Sequence, residues 1–204
     1  MRVALTFDAE HPGRPTTAGT EGRILESLAA AGIRASFFLQ GGWARAYPRP
    51  ASAIADGGHL VGNHSHHHAP MDALTDEGVR ADVRKAEDTI RAATGADPKP
   101  WFRCPFGAGM DDPRVLGHLG ELGYRHVGWD VDPRDWEEGR TPDELVTRVL
   151  DDVHGFAESI VLLHTWPAVT AEALPRVVER LTAQRVEFVC VDELSGEAQR
   201  IPAR

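Results

Sequence analysis

The sequence predicts an α/β fold in which buried parallel strands alternate with helices. Two patterns indicate this fold. Short apolar runs recur along the 204 residues, and the segments between them carry apolar side chains at helical spacing. Strands that are separated by helices imply parallel pairing with crossover connections. No linker rich in Gly, Ser or Pro divides the chain, so we expect a single domain over residues 1–204.

Seven strands are expected, each of them a short apolar run. In chain order they lie at 3–7, 35–39, 59–62, 100–104, 124–129, 159–164 and 186–191. The composition, 42% apolar and 26% charged residues, is that of an ordinary globular protein. A chain of this length buries enough apolar surface to form a stable core without the support of disulfides or metals.

Helices are expected between the strands, and the clearest signals lie at their ends. They are expected within 24–32, 50–56 and 75–93, from 141 onward, and around 174–181. Gly95 would end the long charged helix. Thr141, followed by Pro142 and then by Glu144, predicts a capping box. Pro175 is expected in the first turn of the last helix, because an interior proline loses a backbone hydrogen bond.

Charge and hydropathy exclude several classes of partner. The net charge of −9, from 22 basic and 31 acidic residues, argues against nucleic acid and anionic membranes, which attract basic surfaces. No run of eighteen apolar residues predicts a membrane span. The chain begins without a signal peptide, so we expect a cytoplasmic protein unless it is the mature part of a secreted precursor. Cys104 and Cys190 are expected to be inert buried thiols.

Polar groups able to bind a metal or move a proton follow most of the predicted strands. They are Asp8, Glu10, His64, His68, Arg103, Asp130, Asp132 and His164. In parallel α/β folds the active site lies at the carboxyl ends of the strands. Such a concentration at one edge favours an enzyme over a scaffold protein.

The histidines carry the sharpest signal. Five of the ten lie between positions 59 and 68. His64 and His68 are one helical turn apart, so their rings can converge on one ion. Asp8 and Glu10 are two apart on a strand and share a face. Two histidines and a carboxylate form a known catalytic zinc set, and we favour it over a solvated polar loop.

Five short motifs occur in order along the chain. They are Thr6-Phe-Asp8, Gly62-Asn-His64-Ser-His-His-His68, Phe102-Arg103-Cys-Pro105-Phe106-Gly107, Trp129-Asp-Val-Asp132-Pro-Arg-Asp135-Trp136 and Leu162-Leu-His164. Together they resemble the polysaccharide deacetylase family, the domain of chitin, peptidoglycan and Nod-factor deacetylases. The resemblance extends from Thr6 to about Leu194.

The resemblance implies a fold, an activity and a cofactor. The fold would be a distorted (β/α) barrel of about seven parallel strands. The activity would be metal-dependent hydrolysis of N-acetyl groups on N-acetylglucosamine-containing glycans, of the chitin-oligomer or peptidoglycan type, with release of acetate. The cofactor would be one divalent ion, with zinc favoured over cobalt or nickel. The partner would be an N-acetylated glycan or a small N-acetylated sugar.

The resemblance also implies roles for the proton-transfer and metal-binding residues. Asp8 would be the general base, and Arg103 would orient it through a bidentate hydrogen bond. His64 and His68 would bind the metal. Asp132 would pair with His164 and raise its pKa, so that His164 serves as general acid.

Three further residues would contact the substrate. Leu162 and Trp136 would wall the pocket for the acetyl methyl group, and the N–H of Phe106 would help to stabilise the oxyanion. Asp130 and Asp135 are expected to be helix caps or surface charges and stay outside the site.

The chain departs from the family pattern in its first and fifth motifs. The usual first motif has two adjacent aspartates, and Ala9 takes the place of the metal-binding one. Glu10 can supply the missing carboxylate, with His11 as its rival. Thr165 follows His164 where an acid is frequent. Two alternatives stay open. The absence of a signal peptide and of a carbohydrate-binding module favours a deacylase of a small cytosolic N-acyl compound, and Ala9 favours an inactive domain that binds a metal or a sugar.

Overall fold

The structure is a computed structural model that describes residues 1–11, 13 and 19–195. The described strands are β1 (Arg2–Ala9), β2 (Ser36–Leu39), β3 (Leu60–Asn63), β4 (Trp101–Phe102), β5 (Arg125–His126), β6 (Glu158–His164) and β7 (Glu187–Phe188). The described α-helices are α1 (Thr20–Ala31), α2 (Gly41–Ala46), α3 (Pro48–Asp56), α4 (Asp76–Thr94), α5 (Pro113–Glu121), α6 (Pro142–Val153) and α7 (Ala168–Ala183). Short 3-10 turns lie at Met71–Ala73, Pro105–Gly107 and Val191–Glu193.

The strands form one parallel sheet that curls around β1. Its order is β5-β4-β3-β2-β1-β6, and β7 pairs with the beginning of β1. β6 pairs with nearly the whole of β1, and β2 pairs with its second half. Beyond β6, an isolated parallel bridge joins Val131 to Val161. The expected distorted barrel of about seven parallel strands is confirmed.

Strand register determines which residues meet at the carboxyl edge. Asp8 at the end of β1 is the Cα partner of His164 at the end of β6. On the other side, Leu39 of β2 pairs with Asn63 of β3, and His64 follows directly. Side chains from motifs far apart in sequence therefore share one edge of the sheet.

The core lies between the sheet and the helices that cover it. β1 is buried from Val3 onward, and Phe7 stacks on Phe37 of β2 with ring centroids 4.9 Å apart. A second apolar cluster places Phe102 and Tyr124 against residues of α4 and α5. Each large apolar side chain buried in this way contributes roughly 1.5–3 kcal/mol to folding. This packing gives the sheet edge a fixed geometry.

The helix ends follow the sequence signals except at Pro175. Thr141 and Glu144 form the predicted capping box, and Gly95 ends α4 with a φ of 71°. Pro175 lies inside α7, which begins at Ala168, so the prediction of a first-turn proline is wrong. The apolar face of α7 is buried on both sides of the proline, and that packing outweighs one lost hydrogen bond.

Several elements differ in length or number from the expectation. β4, β5 and β7 have two residues each, because only two residues of each predicted apolar run pair with a neighbouring strand. α2 and α5 were not predicted individually. Both cysteines are buried and free, as expected. Within the described part of the chain, no helix has the length and hydrophobicity needed to cross a membrane.

Candidate active site

Two histidines and one glutamate meet at the carboxyl ends of β1 and β3. His64 Nε2 lies 3.2 Å from Glu10 Oε2 and 3.2 Å from His68 Nε2. His68 Nε2 also contacts Glu10 Oε2. The structure brings these side chains together, and we call the three residues the Glu-His-His triad.

A loop, and not the helical turn predicted from the spacing, brings the two histidines together. Residues 64–68 have no helical structure, and Ser65 and His68 have positive φ angles of 62° and 58°. Asp82 of α4 accepts a hydrogen bond from the His66 N–H at 2.6 Å. The buried Asp82 carboxylate thus accepts a hydrogen bond that a backbone carbonyl would accept in a helix.

The chemistry of the triad fits a divalent cation. His64 Nδ1–H donates to the carbonyl of Arg103 at 2.9 Å, so the neutral ring keeps its lone pair on Nε2. That lone pair faces a carboxylate and a second imidazole nitrogen. Bonds of about 2.0–2.2 Å to zinc place neighbouring ligand atoms roughly 3 Å apart, close to the spacing seen here.

His11 is a fourth candidate ligand at the same place. Its Nε2 lies 2.7 Å from Glu10 Oε1, and its ring centroid lies 4.9 Å from that of His68. Glu10, His11 and His68 each offer a ligand atom within 4.8 Å of the others. Both substitutes considered for the missing aspartate therefore reach the site, but Glu10 contacts both histidines of the triad.

Glu10 is held as a carboxylate. Burial raises the pKa of Glu10, but hydrogen bonds with the three neighbouring histidines lower it by a larger amount. The pKa of Glu10 therefore lies well below its usual range. Trp166 Nε1–H donates to Oε1 at 3.2 Å. Trp166 was missed by sequence reasoning, because a tryptophan two residues beyond a strand gives no signal of its own.

Asp8 lies beside the triad and is held by Arg103. Arg103 Nη1 donates to Asp8 Oδ1 at 2.9 Å, and Asp8 Oδ2 lies 3.6 Å from His64 Nε2. The remaining hydrogen bonds of the guanidinium go to Thr6 Oγ1, Val127 O and Gly128 O. The predicted bidentate pair is therefore wrong, since the other donors are used elsewhere. Arg103 is fully buried.

His164 enters the site from the end of β6 with Asp135 as its partner. Its Nδ1 and its backbone N–H both bond to the Asp135 carboxylate, each at 2.7 Å. Thr170 Oγ1–H donates to the same carboxylate at 2.6 Å. Burial lowers the pKa of His164, but the charge and hydrogen bond of Asp135 raise it more, to about 9. Asp135 therefore favours the protonated imidazole at neutral pH.

The predicted pairing of Asp132 with His164 is wrong. Asp132 Oδ1 accepts from the Arg134 N–H at 2.9 Å, a local turn that the intervening Pro133 favours. Burial raises the pKa of Asp132. Asp135, which was expected to be a cap or surface charge, is 1% exposed. Asp132 itself lines the pocket described below but bonds to its own turn instead of His164.

These groups open into a pocket of about 380 Å³. The three predicted substrate contacts, Phe106, Trp136 and Leu162, all line it. The aromatic pair is exposed at the rim, whereas Leu162 is buried. Phe106 has a φ of 57° and packs on the His68 ring with centroids 4.4 Å apart. Three lining residues were not predicted, namely Cys104, Trp129 and Trp166.

Comparison with known proteins assigns the family. The model of the family described as "Polysaccharide deacetylase" matches residues 1–127. The chain belongs to this family. It is 32% identical over 177 residues to the Bacillus subtilis protein YlxY, a match that covers 87% of this chain and 53% of the relative. The chain thus spans about half the length of that relative.

A second curated relative is named for its activity. The peptidoglycan-N-acetylglucosamine deacetylase of Bacillus cereus is 29% identical over 196 residues, which cover 94% of this chain and 67% of the enzyme. Its name matches the chemistry that the five motifs predict.

Solved structures share the fold closely. A mutant of the Bacillus anthracis protein BA3943, described as a family 4 pseudoenzyme with restored enzymatic activity, superposes with a TM-score of 0.85 and 32% identity. The match covers 95% of this chain and 66% of that one. Because one fold carries both active and inactive members, the residues of this chain's own site decide between them.

Proposed function

We propose that this protein is a metal-dependent deacetylase of N-acetylglucosamine-containing glycans, of the chitin-oligomer or peptidoglycan type. Asp8 and His164 are register partners at the ends of β1 and β6, and both side chains line the pocket beside the Glu-His-His triad. This arrangement of a carboxylate and an imidazole is the observation that carries the proposal. Hydrolysis of an acetamide needs a proton acceptor, a proton donor and a group that stabilises an oxyanion. A domain that only binds has no use for such a matched pair.

Zinc is the cation we propose for the triad, with cobalt and nickel as alternatives that share these ligand types. When bound, it supplies Lewis acidity that lowers the pKa of water and polarises the amide carbonyl. His64 and His68 would hold it through Nε2, and Glu10 through Oε2. His11 and Trp166, which contact the other oxygen of Glu10, orient that carboxylate.

Asp8 takes the proton from the attacking water. Arg103 holds its Oδ1, which leaves Oδ2 on the side of the triad. Arg103 is thus a positioning residue, and its charge balances the buried Asp8 carboxylate. The water oxygen attacks the carbonyl carbon, and the N–H of Phe106 helps to stabilise the developing oxyanion.

His164 protonates the departing amine as the C–N bond breaks and acetate forms. Asp135 holds Nδ1, so Nε2 is the nitrogen that can deliver a proton into the pocket. Since the His164 pKa is raised to about 9, the imidazole carries that proton at neutral pH. Asp8 and His164 thereby divide the two proton transfers between them.

The pocket favours an acetylated sugar. Leu162 is buried in the lining and suits the acetyl methyl group, while Trp136 and Phe106 present aromatic surface at the rim. Aromatic rings with one face exposed pack well on the apolar face of a sugar ring. A glycan whose sugar ring lies at the rim and whose acetyl group enters the pocket satisfies both parts.

Acetate release by the zinc-loaded protein tests the proposal. The substrates are chitin oligomers, peptidoglycan fragments and monomeric N-acetylglucosamine. We expect release from the oligomeric substrates. Release confined to small N-acyl compounds would instead identify a small-molecule deacylase. Zinc binding without release from any substrate would identify an inactive binding domain.

A further inference from the structure

The two chain segments that supply the triad are joined by one buried side chain. Glu10 and His11 follow β1, whereas the two histidines of the triad belong to the loop after β3. Gln40 lies between these segments, at the end of β2, and is 5% exposed. It lies outside all five motifs that carry the family resemblance.

Both ends of the Gln40 amide are used. Its Oε1 accepts a hydrogen bond from the His11 N–H at 3.0 Å. Its Nε2 donates to the His66 carbonyl at 3.2 Å. Its backbone N–H donates to Ala9 O at 2.9 Å. One residue therefore bonds to the chain on both sides of Glu10 and to the middle of the histidine loop.

The backbone after Gln40 strengthens the same junction. Gly41 N–H donates to Ser65 O at 2.9 Å, and Gly42 N–H donates to His66 O at 3.1 Å. A Cβ on Gly41 would lie 2.5 Å from His66 Nδ1, so only glycine allows this close approach. The start of α2 therefore fixes the backbone of the loop, independently of what the side chains of the loop bind.

The segments that Gln40 joins have an unfavourable backbone conformation. His11, Ser65 and His68 have positive φ angles of 62°, 62° and 58°, although none of them is glycine. Such conformations persist only where the surroundings determine them. The Gln40 bridge supplies hydrogen bonds on both sides of this arrangement.

We propose that Gln40 is a positioning residue that sets the separation between Glu10 and the two histidines before a cation binds. This inference rests on the proposed function, because it requires the triad to be the cation site. Partners of metal ligands typically contribute about 10–100-fold to metal affinity. Without the bridge, part of the binding free energy would be spent on ordering the two segments.

Two substitutions remove the bridge in different ways. Gln40→Met keeps the length of the side chain and removes both hydrogen bonds. Gln40→Asn keeps the amide but is one methylene too short to span both partners. Gln184→Met is the matched control, since Gln184 is an exposed glutamine at the end of α7.

The test measures the zinc dissociation constant by chelator competition and the unfolding temperature with and without zinc. We expect both Gln40 variants to bind zinc about 10–100-fold more weakly, with a smaller zinc-induced rise in unfolding temperature. Gln184→Met should match the wild type. A merely structural role would lower both unfolding temperatures equally and leave the zinc affinity unchanged.

Zinc affinity within about twofold of the wild type in either folded Gln40 variant would overturn the inference. If Gln40→Met does not fold, Gln40→Asn decides. The proposed function fails separately, when the wild type binds zinc but releases no acetate. A wild-type chain without zinc affinity would overturn both proposals.

Discussion

The two sides of the pocket hold their reacting groups by different means. On the strand side, Asp8 lies near the end of β1 and is held by Arg103, while Glu10 and His64 directly follow β1 and β3. On the loop side, His164 is the last residue of β6, but its partner Asp135 lies in residues 127–141, whose only β-structure is the isolated bridge at Val131. Strand register places Asp8, whereas local hydrogen bonding in a loop places Asp135.

This difference indicates which residues of the site are placed by strand pairing and which are placed by their own local contacts. A strand end is placed by its ladder, so a residue there tolerates changes in its neighbours. A loop carboxylate such as Asp135 depends on its own contacts with Thr170 and with the N–H of His164. Asp8 should therefore keep its geometry when its chemistry is altered, and the position of Asp135 should be more sensitive.

The largest expected effect is on the strand side. Asp8→Asn removes the proton acceptor but keeps the shape of the side chain, so zinc affinity should stay within a few-fold of the wild type. Acetate release should fall by about 10²–10⁴-fold. Metal content and turnover are measured on the same preparation. Unchanged turnover with full zinc content would refute the role of Asp8.

A matched pair of substitutions tests the loop side. Asp135→Asn should reduce turnover by about 10²-fold or more, because His164 loses the charge that keeps it protonated and oriented. Asp132→Asn, three residues earlier, should cost less than about tenfold. Turnover of the two variants at neutral pH decides between them. The opposite ranking would restore Asp132 as the partner of His164.

The same contrast appears in the titration of His164. In the zinc-free protein its pKa should be about 9, and Asp135→Asn should move it down toward the ordinary value near 6.5. Because the folded-state pKa is raised, the stabilising contribution is complete below about pH 6.5 and is lost as pH rises through about 9. Imidazole NMR signals report the titration. An unshifted pKa in Asp135→Asn would contradict the assignment.

The smallest effect is expected at the rim. Trp136 is 45% exposed, so Trp136→Ala should leave the reacting groups in place and remove stacking surface. We expect KM for a glycan oligomer to rise about two- to tenfold with little change in kcat. Steady-state kinetics on an oligomer and a monomer measure this. A large loss of kcat would place Trp136 among the groups that position the reacting atoms.

The sequence was informative wherever periodicity and spacing determine position. The parallel fold followed from the apolar runs. The convergence of Glu10 with the two histidines followed from their positions at the ends of predicted strands. The choice between Asp132 and Asp135 did not, because both follow the same predicted strand and differ only in the local turn at Pro133. The contribution of Gln40 was also invisible, since it depends on two segments meeting across β2.

Acetate release from N-acetylglucosamine oligomers, before and after chelation, tests the central claim most directly. The wild-type protein is assayed with zinc, then with a chelator, and then with zinc restored. The account predicts release with zinc, loss with the chelator and recovery on reconstitution. Release that is indifferent to chelation, or no release from zinc-loaded protein, would contradict it.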